Sequence, residues 1–254
     1  RRATDDDRTA QKYVVGANWY PASRLSLSTE YFHKIRDNDF DHPGDTTSNL
    51  PGSLMRYPAF LRAQSFDTDD VSFRASFRPA GTLRVVGRYD FQRTTLDTRP
   101  DNLSEIQTSE MTGHIASGSI SWVPWARLYL MGMVSYVFDR TETPASAATP
   151  LVADAHNDYW SLTASVGYAL DERTDLEVQY LYYLADNYVD RSAVSTPYGA
   201  GAEQHGILVG LNRRFNARTR LGLQYGFFDY QDELSGGHRD YQAHLLYTTL
   251  SYRF

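Results

Sequence analysis

The stretch Leu83-Arg84-Val85-Val86-Gly87-Arg88-Tyr89-Asp90-Phe91-Gln92 sorts its side chains into two sets. Leu83, Val85, Gly87, Tyr89 and Phe91 fall on one side of an extended chain, and Arg84, Val86, Arg88, Asp90 and Gln92 on the other, because successive side chains of a strand point to opposite faces. One face is greasy and the other carries charge. The same alternation sets Val71, Phe73, Ala75 and Phe77 against Ser72, Arg74, Ser76 and Arg78. It sets Trp160, Leu162, Ala164, Val166, Tyr168 and Leu170 against Ser161, Thr163, Ser165, Gly167 and Ala169. It recurs in Leu176, Val178, Tyr180, Tyr182 and Leu184 against Asp175, Glu177, Gln179, Leu181 and Tyr183.

A repeat punctuates these strands. A tight turn follows an aromatic or apolar strand end and leads into Arg or Thr and then Leu. Its copies are Trp19-Tyr20-Pro21-Ala22-Ser23-Arg24-Leu25, Phe77-Arg78-Pro79-Ala80-Gly81-Thr82-Leu83 and Trp122-Val123-Pro124-Trp125-Ala126-Arg127-Leu128. Two looser copies run from Leu170 to Leu176 and from Phe215 to Leu221. The anchoring leucines stand roughly 45 to 58 residues apart, about one long hairpin plus a loop. Polar connections rich in Asp, Asn, Gly, Pro, Ser and Thr lie between the tight turns, over residues 37–68, 94–108, 140–157, 190–204 and 231–239.

The pattern predicts an all-β fold, a transmembrane antiparallel up-and-down β-barrel occupying residues 1–254, with short periplasmic turns and long extracellular loops. Strands are expected over 11–20, 24–36, 69–78, 82–93, 109–123, 126–139, 158–170, 174–189, 204–215, 219–230 and 240–254, about eleven in all. Strands of about ten residues argue against a soluble sandwich or propeller, whose strands average about five or six. Aromatics beside the short turns (Trp19, Tyr20, Phe77, Trp122, Trp125, Tyr168, Phe215) suit an interfacial girdle. Bacterial barrels have an even strand number with both ends periplasmic, so an odd count points to the C-terminal part of a larger barrel. The segment Leu54–Leu61 is demoted as a further strand by Pro58. The chain opens Arg1-Arg2-Ala3-Thr4 without Met or an apolar leader, and so reads as a mature form or a fragment.

Composition narrows the chemistry. The sequence has no Cys, which removes disulfides, thiolate metal sites and covalent haem attachment. Any redox cofactor would belong to a partner, and the chain itself is expected to hold neither cofactor nor metal. A net charge of −6 argues against nucleic acid. No phosphate loop, dinucleotide fingerprint, zinc-helix motif or nucleophile elbow occurs, and no catalytic role is expected. His33, His42, His114, His156, His205, His238 and His244 share no ligand spacing and read as scattered, solvated residues. Asp5-Asp6-Asp7 and Asp67-Thr68-Asp69-Asp70 have the charge to collect calcium, but read as solvated runs at a terminus or loop. The candidate functional residues are charges assigned to the lumen: Arg74, Arg78, Arg84, Arg88, Asp90, Glu177 and Arg253. Such groups set selectivity in a water-filled pore, contact a protein occupying it, or simply solvate the inner wall.

The end of the chain, Leu250-Ser251-Tyr252-Arg253-Phe254, resembles the C-terminal signature of Gram-negative outer-membrane proteins. That resemblance implies a cell outer membrane location and makes Tyr252 and Phe254 an assembly signal read by the barrel-assembly machinery. Over the whole chain, the long strands, Tyr-rich walls and Trp-x-Pro-x-x-Arg-Leu turns resemble porin-like barrels of the MtrB, PioB and OmbB type. What this implies is a sheath or scaffold around a multihaem cytochrome, an electron conduit serving extracellular electron transfer. The CxxC element of some members has no counterpart here. A passive diffusion porin is the second reading, and the barrel of an active transporter with an upstream plug is the third.

Overall fold

The computed structural model describes residues 4–41, 61–100, 104–144, 152–190 and 199–253. They form one antiparallel sheet of twelve strands: β1 Asp5–Ala22, β2 Leu25–Asp41, β3 Leu61–Ala80, β4 Leu83–Pro100, β5 Ile106–Trp125, β6 Leu128–Glu142, β7 Ala155–His156, β8 Tyr159–Ala169, β9 Thr174–Asp186, β10 Gly201–Arg214, β11 Thr219–Asp232 and β12 Tyr241–Tyr252. Each strand pairs with its neighbour in sequence, except that the two-residue β7 sits beside β6, which pairs onward with β8. A single 3-10 turn, Glu233–Ser235, is the only helical element among the described residues.

The tight turns are of two kinds, and the sequence motif separates them. After β1, β3 and β5 the ladder slips between Trp19 and Ala22, Phe77 and Ala80, and Trp122 and Trp125. Pro21, Pro79 and Pro124 lie inside these slips, where a residue without an N–H removes nothing from the ladder. The turns after β8 and β10 are closed by a side chain instead. Asp171 Oδ1 accepts from the Arg173 N–H at 2.7 Å, and Asn216 Oδ1 accepts from the N–H groups of Arg218 and Thr219, both at 2.8 Å, the behaviour expected of Asx turns. One bond then recurs at every short turn. The carbonyls of Arg24, Thr82, Arg127, Arg173 and Arg218 accept from the N–H groups of Arg78, Val123, Ala169, Arg214 and Arg253, so each hairpin is tied to the strand that follows it.

The described residues form no conventional core. Among the described residues the buried hydrophobics are Val137, Ala185 and Ala202, whereas Trp19, Leu246 and Leu250 are 64%, 72% and 70% exposed. A soluble barrel or sandwich would bury that area, which is worth about 25 cal/mol per Å². The strands also run further than the apolar alternation. β1 starts at Asp5 and β3 at Leu61, so both acidic runs read as solvated segments, Asp5-Asp6-Asp7 and Asp67–Asp70, lie within strands. Most of the segment from Leu54 to Leu61, and Phe254 and His42, lie outside the described residues.

Candidate functional site in the polar face of the sheet

The register fixes which residues share a face. Leu83 stands opposite Trp122, Leu130 opposite Val166, Val178 opposite Val209 and Tyr225 opposite Leu246, so the apolar sets of successive strands join into one continuous face. The polar sets make up the other.

On that polar face Arg74 and Arg88 are direct partners across β3 and β4, with Ser76 opposite Val86 and Ser72 opposite Asp90 on either side. Arg88 is held along its own strand by Asp90, at 2.7 Å from Nε and 3.0 Å from Nη2. Asp90 is only 7% exposed, and this two-point bond supplies its counter-charge. Arg84 Nε donates to Ser76 Oγ at 3.1 Å. Arg74 and Arg88, with Glu30, Ser72, Ser117 and Ser119, line a recess of ≈ 570 Å³. Two guanidinium groups and the hydroxyls outnumber the one carboxylate, that of Glu30, so the concavity can take an acceptor-rich, negatively charged solute.

The other expected charges are placed differently. Glu177 on β9 stands between Gly167 and Gly210, and Tyr129 lies across Gly167, so that a Cβ there would fall inside its ring. Arg78 sits in the slip that precedes the turn, where alternation is interrupted, and its N–H donates to Arg24 at 2.8 Å. Arg253 follows β12 and its N–H donates to Arg218 at 2.9 Å. Both lie at the short-turn ends of their strands. Counting by twos gives a face but not that level. It also missed a second like-charged pair, Arg214 opposite Arg220 on β10 and β11. Arg214 Nη2 donates to the Glu172 carbonyl at 3.1 Å. Lys34 and Arg36 extend the basic side along β2, with Arg36 over the Phe66 ring at 4.0 Å.

Four of the seven histidines share a face. His33, His114, His205 and His244 all fall on the apolar face, the first two mid-strand and the last two near the strand ends away from the short turns. His33 Nδ1 lies 3.1 Å from Asp69 and 3.3 Å from Asp67, and Tyr31 donates to Asp69 at 2.6 Å. The ligand-type atoms of His33, Asp67 and Asp69 fall within 4.8 Å of one another, with Asp69 already engaged by both β2 side chains.

An antiparallel meander of long strands, apolar on one face and polar on the other, defines the class of outer-membrane β-barrels. Comparison with solved structures agrees. The outer membrane channel DcaP of Acinetobacter baumannii superposes with a TM-score of 0.60 at 11% identity, over 95% of this chain and 62% of that one. The copper transporter OprC gives 0.63 at 13% identity, over 90% of this chain and 40% of that one. The FrpB iron transporter from Neisseria meningitidis gives 0.60 at 13% identity, over 98% and 41%. The chain thus spans between about two fifths and three fifths of these barrels. No protein-family model and no curated protein matches the sequence. In this fold the apolar face meets lipid and the polar face lines the interior.

Proposed function

We propose that the chain forms wall of an outer-membrane solute channel, without catalytic activity of its own, and that the side of the lumen built by β3 and β4 favours anionic solutes. The carrying observation is the pair Arg74 and Arg88, placed directly opposite each other. Like charges in that position cost stability, so a role in the pore accounts for them better than a role in the fold. The hydroxyls of Ser72, Ser117 and Ser119 complete a wall suited to carboxylate or phosphate oxygens. The likeness to a channel and to transporter barrels supports a conducting role. Outer-membrane location follows from the same likeness by analogy.

The test is liposome swelling with the full-length protein and neutral, anionic and cationic sugars of equal size. Faster swelling with the anionic sugar, reduced by Arg74→Gln and Arg88→Gln, supports the channel. A protein that passes none of them and purifies with haem would instead favour the cytochrome sheath implied by the family resemblance.

A further inference from the structure

The short-turn ends of β9 to β12 carry a row of arginines on the polar face. Arg214 stands opposite Arg220, and Arg220 opposite Ser251. On its other side the Arg214 N–H donates to the Arg173 carbonyl at 2.7 Å, which continues the row into the turn before β9. Like charges placed directly opposite destabilise a sheet, so three in one row call for a reason outside the fold. Arg214 engages the protein through Nη2, which donates to the Glu172 carbonyl at 3.1 Å. Among the described residues, the guanidinium groups of Arg173 and Arg220 form neither a hydrogen bond nor an ion pair.

Solvation of the inner wall does not require such a row. At the position before the strand-end aromatic or leucine, where Arg214 precedes Phe215, the other hairpins carry Asn18, Ser76, Ser121 and Ala169. The residues opposite these are Ser28, Val86, Met131 and Asp175, so a guanidinium facing a guanidinium is particular to β10 and β11. An anchoring role in lipid does not explain it either. Arg213 is placed for that, opposite Leu221 on the apolar face with its guanidinium over the Phe215 ring at 5.7 Å. The three polar-face arginines line one recess of ≈ 430 Å³ together with Asn212, Thr249 and Ser251. Gly222 stands between Asn212 and Thr249, and a Cβ there would come within 2.9 Å of Asn212 Oδ1, so the glycine keeps the floor of the recess open. Its one carboxylate is Asp175, opposite Asn212. Three guanidinium groups less one carboxylate leave the polar-face lining with a formal charge of +2.

We propose that Arg173, Arg214 and Arg220 form a binding site for a doubly charged oxyanion of the phosphate or sulfate type at the short-turn mouth of the lumen. Guanidinium forks match the oxygen atoms of such an ion, each offering parallel N–H donors. Arg173 and Arg220 bring donors that no protein group uses, and the Ser251 and Thr249 hydroxyls add two more. A dianion balances the charge of the recess, whereas a monoanion such as chloride leaves it half compensated. The site lies four strand steps along the sheet from the Arg74 and Arg88 pair, counted from β4 to β9. It rests on the polar face lining the interior and does not depend on conduction.

Isothermal titration of the full-length protein, folded in detergent, compares sodium sulfate with sodium chloride at equal ionic strength. One saturable sulfate site is expected, with chloride weaker by on the order of tenfold, a single charge-assisted contact. The double variant Arg173→Gln, Arg220→Gln should weaken sulfate by about a hundredfold, about tenfold for each lost guanidinium. No saturable sulfate binding, chloride binding as tight as sulfate, or unchanged affinity in the double variant overturns the proposal. Binding that disappears instead in Arg74→Gln, Arg88→Gln belongs to the β3 and β4 wall, and overturns this site while leaving the channel reading standing. If the double variant does not reach the heat-modifiable folded form, Arg220→Gln alone replaces it. That variant should weaken sulfate by about tenfold, and an unchanged affinity would again overturn the proposal. Sulfate binding by a barrel that does not conduct would uphold the site and sink the channel.

Discussion

Arg74 and Arg88 face each other across β3 and β4, and only Arg88 has its charge matched along its own strand, by Asp90 at 2.7 Å. Removing the Arg74 guanidinium therefore relieves repulsion without stripping a carboxylate of its partner. Arg74→Gln should leave the unfolding free energy in vesicles unchanged or raise it by up to about 1 kcal/mol, the scale of a cross-strand pair. Arg88→Gln should lower it, because Asp90 is left buried with a neutral partner. Urea titration of both variants checks this, and a loss on Arg74→Gln larger than on Arg88→Gln would contradict it.

The lipid-facing assignment has its own consequence. Val178, 38% exposed on the apolar face, should cost about 2 to 4 kcal/mol when changed to Arg if it lies near the midplane. Gln179→Arg, one residue along on the polar face, should cost far less. Equal costs in a refolding assay would reverse the two faces.

Tyr129 and Gly167 are direct partners on the polar face, with the ring occupying the space a side chain at 167 would need. Gly167→Ala should destabilise by about 1 to 3 kcal/mol through overpacking. In the background of Tyr129→Ala the same change should be nearly free. A double-mutant cycle on unfolding free energy measures the coupling, which should vanish if the ring does not cover the glycine.

At the turn after β8 the Asp171 carboxylate lies below the usual carboxylate range, first because the Arg173 N–H binds it and then because the Thr174 hydroxyl does. A depressed folded value means that the contribution is complete above the unfolded value of about 3.9 and is lost as pH falls through the folded one. Asp171→Asn keeps an acceptor for the turn and should flatten this acid dependence. Unfolding midpoints measured from about pH 5 downward give the comparison, and an unchanged slope would show that the carboxylate is not the titrating group.

Sequence revealed the part of each strand that crosses the apolar layer, because there the two faces differ and the period of two is visible. Beyond that layer both faces are polar, so the signal disappears although the backbone pairing continues. For that reason the expected strand begins at 69, while the ladder carries Asp67 and Thr68 within β3 as well. Among the charges, Arg74, Arg84, Arg88, Asp90 and Glu177 lie in regular strand and counting by twos places them on one face, whereas Arg78 falls in a slip that parity cannot see.

A conducting lumen with an arginine-lined wall shows itself in the reversal potential of the full-length protein in a planar bilayer across a potassium chloride gradient. The expected reversal potential has the sign that marks chloride preference, and it moves toward zero in the Arg74→Gln, Arg88→Gln double variant. Steady cation preference, or no conductance from folded protein, would contradict it.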